Sequence, residues 1–110
     1  MIHTKTSDAS YKLFFGTLNN KNRINIINVL RKGQKCVSEI CRALRFNQTT
    51  VSHNLKRLQH CGFVFAERRG KYMYYTINSK TIKPLMGMID RHMSRYCKKI
   101  VLGDEPAHKR

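Results

Sequence analysis

Asn47-Gln-Thr-Thr-Val-Ser-His-Asn-Leu-Lys-Arg-Leu-Gln-His-Cys-Gly62 carries a helix start signal, a helical period and a stop signal. Asn47 suits the N-cap, because its side-chain carbonyl can accept a hydrogen bond from an orphan backbone N–H of the first turn. Gly62 suits the position just past the helix end, where the chain commonly turns left-handed. Val51, Leu55 and Leu58 recur at i, i+4 and i+7 and form one narrow apolar stripe. At about 100° per residue, Thr49, Ser52, His53, Lys56, Gln59 and His60 fall on the opposite side. Short or flexible hydrogen-bonding side chains with almost no acidic character are what base edges and phosphates in a major groove require. An ordinary surface helix shows the same two-faced pattern, so the flanking segments have to decide between the two.

Upstream, Val37, Ile40, Cys41 and Leu44 are the apolar positions of a helical piece expected over Gln34–Arg45, and Arg45-Phe46 is a tight connection into the stretch above. Two short helices joined by a few residues, the second with a polar outer face, make a helix-turn-helix. Downstream the period changes. Phe63-Val-Phe-Ala-Glu-Arg-Arg69 and Lys71-Tyr-Met-Tyr-Tyr-Thr-Ile77 are rich in aromatic and β-branched residues and flank Gly70, the pattern of a β-hairpin. Its tip concentrates Arg68, Arg69 and Lys71. A basic tip can simply block edge-to-edge association. Directly after a helix-turn-helix it reads better as a wing on the phosphate backbone or in the minor groove.

Nearer the N-terminus, Ser7 or Asp8 is a candidate cap for a first helix carrying Tyr11, Phe14, Phe15 and Leu18. Asn19-Asn20 breaks that helix and offers a cap for a second, with Ile24, Ile27, Val29 and Leu30 as its apolar face and Lys32-Gly33 at its end. After the hairpin, Asn78 or Ser79 is a candidate cap for a long final helix. There Ile82, Leu85, Met86, Ile89, Met93, Tyr96 and Ile100 alternate threes and fours, as in a helix packing on a helical partner. The clustered aromatics of the first helix and the length of the last apolar stripe make Tyr11, Phe14, Phe15, Leu85, Ile89, Met93 and Tyr96 the candidate dimer interface. The expected class is mainly α with a β-hairpin wing (α+β): a winged helix-turn-helix of about five helices, dimerising through the first and last. Its expected extent is residues 8–102, between a flexible N-terminus (1–7) and a disordered tail (103–110).

Charge narrows the partners. Among 110 residues, 22 Lys and Arg stand against 6 Asp and Glu, a formal net charge of +16. Such a chain repels itself when compact, and polyanions relieve the repulsion, so nucleic acid leads and an anionic membrane surface follows. A disordered basic tail is disfavoured by the 41% of hydrophobic residues, which fall in periodic blocks. No apolar run reaches the length of a membrane span, and the N-terminus is too polar for a secretory signal, so a cytoplasmic protein with reduced thiols is expected. Acidic residues are too sparse for paired-carboxylate catalysis and no glycine-rich phosphate loop appears. No enzymatic activity, small-molecule substrate or cofactor is expected.

The stretch Asn47–Leu58 resembles the S-Q-S-T-V-S-H-H-L-x-x-L signature of the ArsR-type metalloregulators, small dimeric winged-helix repressors. The resemblance continues through Gly62-Phe-Val64 and Arg69-Gly-Lys-Tyr-Met-Tyr-Tyr75. Upstream, Phe15-Gly-Thr-Leu18 and Arg23-Ile-Asn-Ile-Ile27 stand where that family has F-x-x-L-x-x-x-x-R-x-x-I-L. The resemblance covers residues Tyr11 to Leu102. It implies a homodimer built from the first and last helices, bound to an imperfect palindrome, with Gln48, Thr49, Ser52 and His53 at the positions that meet the major groove. Lys56, Arg68, Arg69 and Lys71 are the candidate phosphate clamps.

The metal-sensing half of the family pattern is incomplete. Gln34-Lys-Cys36-Val-Ser38-Glu39 stands at the family's E-L-C-V-C-E segment with Ser38 in place of the second thiolate. Cys41 is about 140° further round an ideal helix, so it does not pair naturally with Cys36. In the final helix the zinc-sensor positions hold Ser79, Thr81, His92 and Arg95, of which only His92 is a metal ligand by type. No metal site is expected. Cys36 beside Lys35 is a candidate redox thiol, with Cys97 as a candidate second thiol, although a buried Cys acting as a small hydrophobe is more common.

The reading is a sequence-specific regulator of double-stranded DNA, a repressor by family resemblance. The competing readings are a sequence-independent nucleoid or chromatin protein and a module that docks an acidic protein partner. Membrane binding ranks last, because the most basic segments lack aromatic anchors on an amphipathic helix.

Overall fold

Helix α4 (Gln48–His60) begins and ends where its caps dictate. Asn47 Oδ1 accepts from Thr50 N–H at 2.8 Å. At the other end Gly62, at φ +75°, lets Phe63 N–H reach Leu58 O at 2.9 Å and Gly62 N–H reach Gln59 O at 3.1 Å. Those two bonds and the left-handed glycine form a Schellman cap. Val51, Leu55 and Leu58 are essentially fully buried.

The computed structural model describes residues 5–103; the remainder of the expected flexible termini lies outside the described residues. The chain divides into two compact units, one through Asn78 and one from Ser79 onward. The first unit contains α1 (Lys5–Leu18), α2 (Lys21–Leu30), β1 (Lys35–Cys36), α3 (Val37–Leu44), α4, β2 (Val64–Arg69) and β3 (Tyr72–Ile77). The second contains α5 (Ile82–His92), a π-helical turn (Met93–Cys97) and the short α6 (Lys98–Val101).

Helix α1 starts at Lys5, so Ser7 and Asp8 sit in its first turn rather than capping it. Asn20 caps α2 as expected, accepting from Arg23 N–H at 3.0 Å. The buried face of α2 is Ile26, Ile27 and Leu30, whereas the expected Ile24 and Val29 are half-buried. The third helix is shorter than the pattern indicates. Lys35 and Cys36 leave it to form a two-residue strand opposite Tyr75 and Tyr74 of β3. Glu39 then accepts from the Cys36 N–H at 2.9 Å, satisfying a backbone group at the new helix start. The tight connection closes on Arg45, which takes a left-handed φ of 58°.

The wing is therefore part of a three-stranded antiparallel sheet in the order β1-β3-β2, not a free hairpin. Its register runs from Val64 opposite Ile77 to Arg69 opposite Tyr72, with Gly70 at φ +63° in the turn. Phe63, Val64 and Ile77 are buried at its base. Asn78, expected as a cap for the last helix, donates from Nδ2 to Gly62 O at 3.0 Å and ties the end of β3 to the end of α4.

The second unit departs most from expectation. Helix α5 begins at Ile82, and the expected uninterrupted helix through Val101 is broken by the π turn, where Lys98 N–H bonds Met93 O. A π turn inserts an extra residue into the helical repeat, so the threes-and-fours stripe slips in phase after His92.

Candidate nucleic-acid interface

The outer face of α4 is set by the inner one. With Val51, Leu55 and Leu58 committed to the core, the helical period turns Gln48, Thr49, Ser52, His53 and Lys56 outward, where all five are exposed and line a single shallow groove. Gln59 and His60 are exposed further along the same helix. No carboxylate belongs to this face. Each of the five can donate a hydrogen bond, and Gln48 also offers a paired amide donor and acceptor.

Arg68, Arg69 and Lys71 lie together at the exposed wing tip. Arg69 is partly engaged: its Nη2 stands 3.4 Å from Glu67 Oε1, and its guanidinium lies 5.6 Å from the centre of the Tyr74 ring. An exposed pair of this kind contributes at most about 1 kcal/mol and yields readily to a phosphate. Lys71 lies over Tyr72 at 5.8 Å. Lys71 and Gln48 line one cavity, so the wing tip and the start of α4 adjoin.

Behind the outer face is a polar network that the hydrophobic pattern does not reveal. Asn54 is buried on the apolar side of α4 and donates from Nδ2 to Thr50 O at 2.8 Å. Arg23 of α2 donates to Asn54 Oδ1 at 3.2 Å, to Thr17 O at 2.6 Å and to Gly16 O at 3.2 Å. Arg57 donates to the Oγ1 of fully buried Thr17 at 3.0 Å, and Cys61 Sγ lies 3.2 Å from that same oxygen. Burial and then the neighbouring Arg57 cation lower the Arg23 pKa, with Cys61 acting in the opposite direction. The signal available in the sequence was small: Asn54 is a polar residue three positions after Val51 and four before Leu58, hence on the core side.

Among the candidate interface aromatics, Tyr11 and Phe15 are exposed and stack at 6.4 Å, while Phe14 turns inward onto Phe63 with ring centres 5.0 Å apart. Phe14 thus packs partly within its own chain. In the second unit Met93 and Tyr96 are exposed and Leu85 and Ile89 half-buried, with Tyr96 against the His92 ring at 4.8 Å. Met88, not among the expected set, is also exposed.

The thiols sit differently from an ideal helical projection. Because Cys36 lies on β1 rather than in α3, it and Cys41 line one cavity. Cys36 is buried with its Sγ 3.2 Å from Ser38 Oγ, and Cys97 is half-buried. Among the described residues no three His, Cys, Asp or Glu side chains gather to hold a metal ion. No helix of the described chain is long and apolar enough to cross a membrane.

Residues 20–65 match the model of the arsR family of bacterial regulatory proteins. The cadmium resistance transcriptional regulatory protein CadC of Listeria innocua is 34% identical over 74 residues, covering 66% of this chain and 62% of that protein. The uncharacterized HTH-type transcriptional regulator MJ1325 of Methanocaldococcus jannaschii is 30% identical over 77 residues, covering 69% of this chain and 86% of that protein. The chain spans between 36% and 62% of the length of the first curated relatives it matches. Among solved structures, the homodimeric winged helix-turn-helix DNA-binding domain Mb0332 from Mycobacterium bovis superposes with a TM-score of 0.76 at 25% identity, covering 96% of this chain and 97% of that one. The helix order, the wing and the signature helix α4 agree with these matches, and the chain belongs to the arsR family of winged helix-turn-helix regulatory proteins.

Proposed function

We propose that this chain is a sequence-specific, double-stranded DNA-binding transcriptional regulator that works as a homodimer, a repressor on an imperfect palindrome. The observation that carries the reading is the exposed, carboxylate-free face of α4, where Gln48, Thr49, Ser52, His53 and Lys56 share one groove beside a basic wing tip. Side chains of those types are the ones that read base edges, and the wing cations suit phosphates. The net charge of +16 supports a polyanionic partner. The regulatory names of CadC and MJ1325 and the homodimeric DNA-binding domain of Mycobacterium bovis support the same reading. Two such subunits would present their α4 helices about 34 Å apart, one turn of B-DNA. No catalytic role is proposed.

The test is selection of bound sites from a random duplex pool, followed by competition of the selected site against random DNA at physiological salt. A preference of about a thousandfold or more is expected. Ser52→Ala or His53→Ala should remove about 1–3 kcal/mol of that discrimination while sparing random-DNA affinity. Equal affinity for all duplexes would make the protein a sequence-independent nucleoid binder. Absence of retardation even at low salt would point to an acidic protein partner.

A further inference from the structure

Strand β1, helix α3, the first residue of α4 and the wing line an open-sided cavity of about 480 Å³. Much of its wall is apolar and polarisable: the Cys36 and Cys41 thiols, Val37, Tyr72 and Met73. Cavities that take small organic molecules run to roughly 300–1,000 Å³, with mostly apolar walls and a few placed polar groups. The charged groups here are Arg42 and Lys71, and no carboxylate lines the space. Among the described residues neither cation is salt-bridged, although Arg42 contributes to holding the Glu39 pKa down and Lys71 lies over the Tyr72 ring.

A flat apolar body against thiols, thioether and phenol ring, with one negative charge directed at a guanidinium fork, satisfies that chemistry. Gln48 supplies a second relationship, because it lines both this cavity and the outer groove of α4. The geometry points to an effector site for an aromatic carboxylate between α3 and the wing, whose occupant engages Gln48 and Lys71 in competition with DNA. The competition half rests on the DNA-binding reading above; the binding half does not. By linkage, whatever the ligand costs DNA affinity, DNA costs ligand affinity in equal measure.

Titration calorimetry of the full chain without DNA, using 1-naphthoate as probe and 1-naphthalenemethanol as its neutral counterpart, tests the site. Saturable binding at one naphthoate per chain is expected. It should weaken by about tenfold or more in the neutral probe and in Arg42→Gln, the loss expected for one charge-assisted contact. Val37→Trp, which fills the cavity from the α3 wall, should abolish binding while circular dichroism reports an intact fold. Saturating naphthoate should also reduce affinity for the selected duplex about tenfold in the wild type and less in Arg42→Gln. Failure of naphthoate to saturate, or equal binding of both probes by both proteins, overturns the site. Binding without any change in duplex affinity overturns the competition. Naphthoate binding by a protein that retards no DNA at any salt supports the site and overturns the DNA-binding reading instead.

Discussion

Arg23 Nη1 lies 3.2 Å from Asn54 Oδ1 and joins α2 to the buried side of α4. The same guanidinium also holds the Thr17 and Gly16 carbonyls at the end of α1. One side chain thereby fixes three helices, and with them the direction in which the outer face of α4 points. Truncation in Arg23→Ala leaves Asn54 Oδ1 and the Thr17 carbonyl without this donor in a part-buried setting. The expected cost is about 3 kcal/mol of unfolding free energy, measured by urea denaturation. Arg23→Lys keeps the charge and loses the fork, so about half that cost is expected. A variant as stable as the wild type would show the network to be incidental.

The Arg69–Glu67 pair, 3.4 Å apart and exposed, makes the wing self-limiting. Arg69→Ala should weaken binding to selected and random duplexes alike and reduce the slope of log affinity against log salt by about one. Glu67→Gln should act oppositely, raising both affinities by severalfold through release of the guanidinium and removal of a like charge from the phosphates. Electrophoretic retardation across a salt series reads both; a change in the preference ratio would assign Arg69 to base reading.

Glu39 gives the fold an acid-side sensitivity. Its pKa is lowered chiefly by the hydrogen bond from the Cys36 N–H, with further help from the Cys36 side chain and from Lys35 and Arg42, against an opposing desolvation. A carboxyl whose folded pKa is depressed adds stability above its unfolded pKa and loses it as pH falls through the folded value. Urea midpoints should therefore fall on acidification through and below the ordinary carboxylate range, and Glu39→Gln should flatten that fall while lowering the neutral-pH midpoint. Parallel profiles for the two proteins would contradict the assignment.

Tyr11 and Phe15 stack in full view of solvent on α1, the former 55% and the latter 56% exposed. If subunits associate through this helix, Phe15→Glu replaces a buried ring with a charge and costs about 3 kcal/mol, raising the dimer dissociation constant roughly a hundredfold. Sedimentation equilibrium across a concentration series measures it. Phe14→Leu should leave the association constant nearly unchanged, because that ring faces Phe63 within the chain. A dimer indifferent to Phe15→Glu would move the interface away from α1.

Local signals carried α4 and much of the site. Asn47 and Gly62 are caps whose chemistry needs only their immediate neighbours, and the period of Val51, Leu55 and Leu58 turned Gln48, Thr49, Ser52, His53 and Lys56 outward as expected. The hairpin was legible for the same reason: Gly70 between two β-rich runs is a turn signal of short range. Misread segments were those whose state depends on a distant partner. Lys35 and Cys36 continue a helical pattern but pair with Tyr75 and Tyr74, some forty residues away, because β3 would otherwise present an unpaired edge.

The sequence by itself determined the winged helix-turn-helix class, the exposed polar face of α4 and the cationic wing tip, since capping, periodicity and turn chemistry act over a few residues. Only the tertiary structure decided that Asn54 is a buried partner of Arg23, that Phe14 packs on Phe63, and that Cys36, Cys41, Arg42 and Gln48 surround one cavity. Those relationships join side chains from different elements, and a polar or aromatic residue does not announce its partner until packing and desolvation bring the two together.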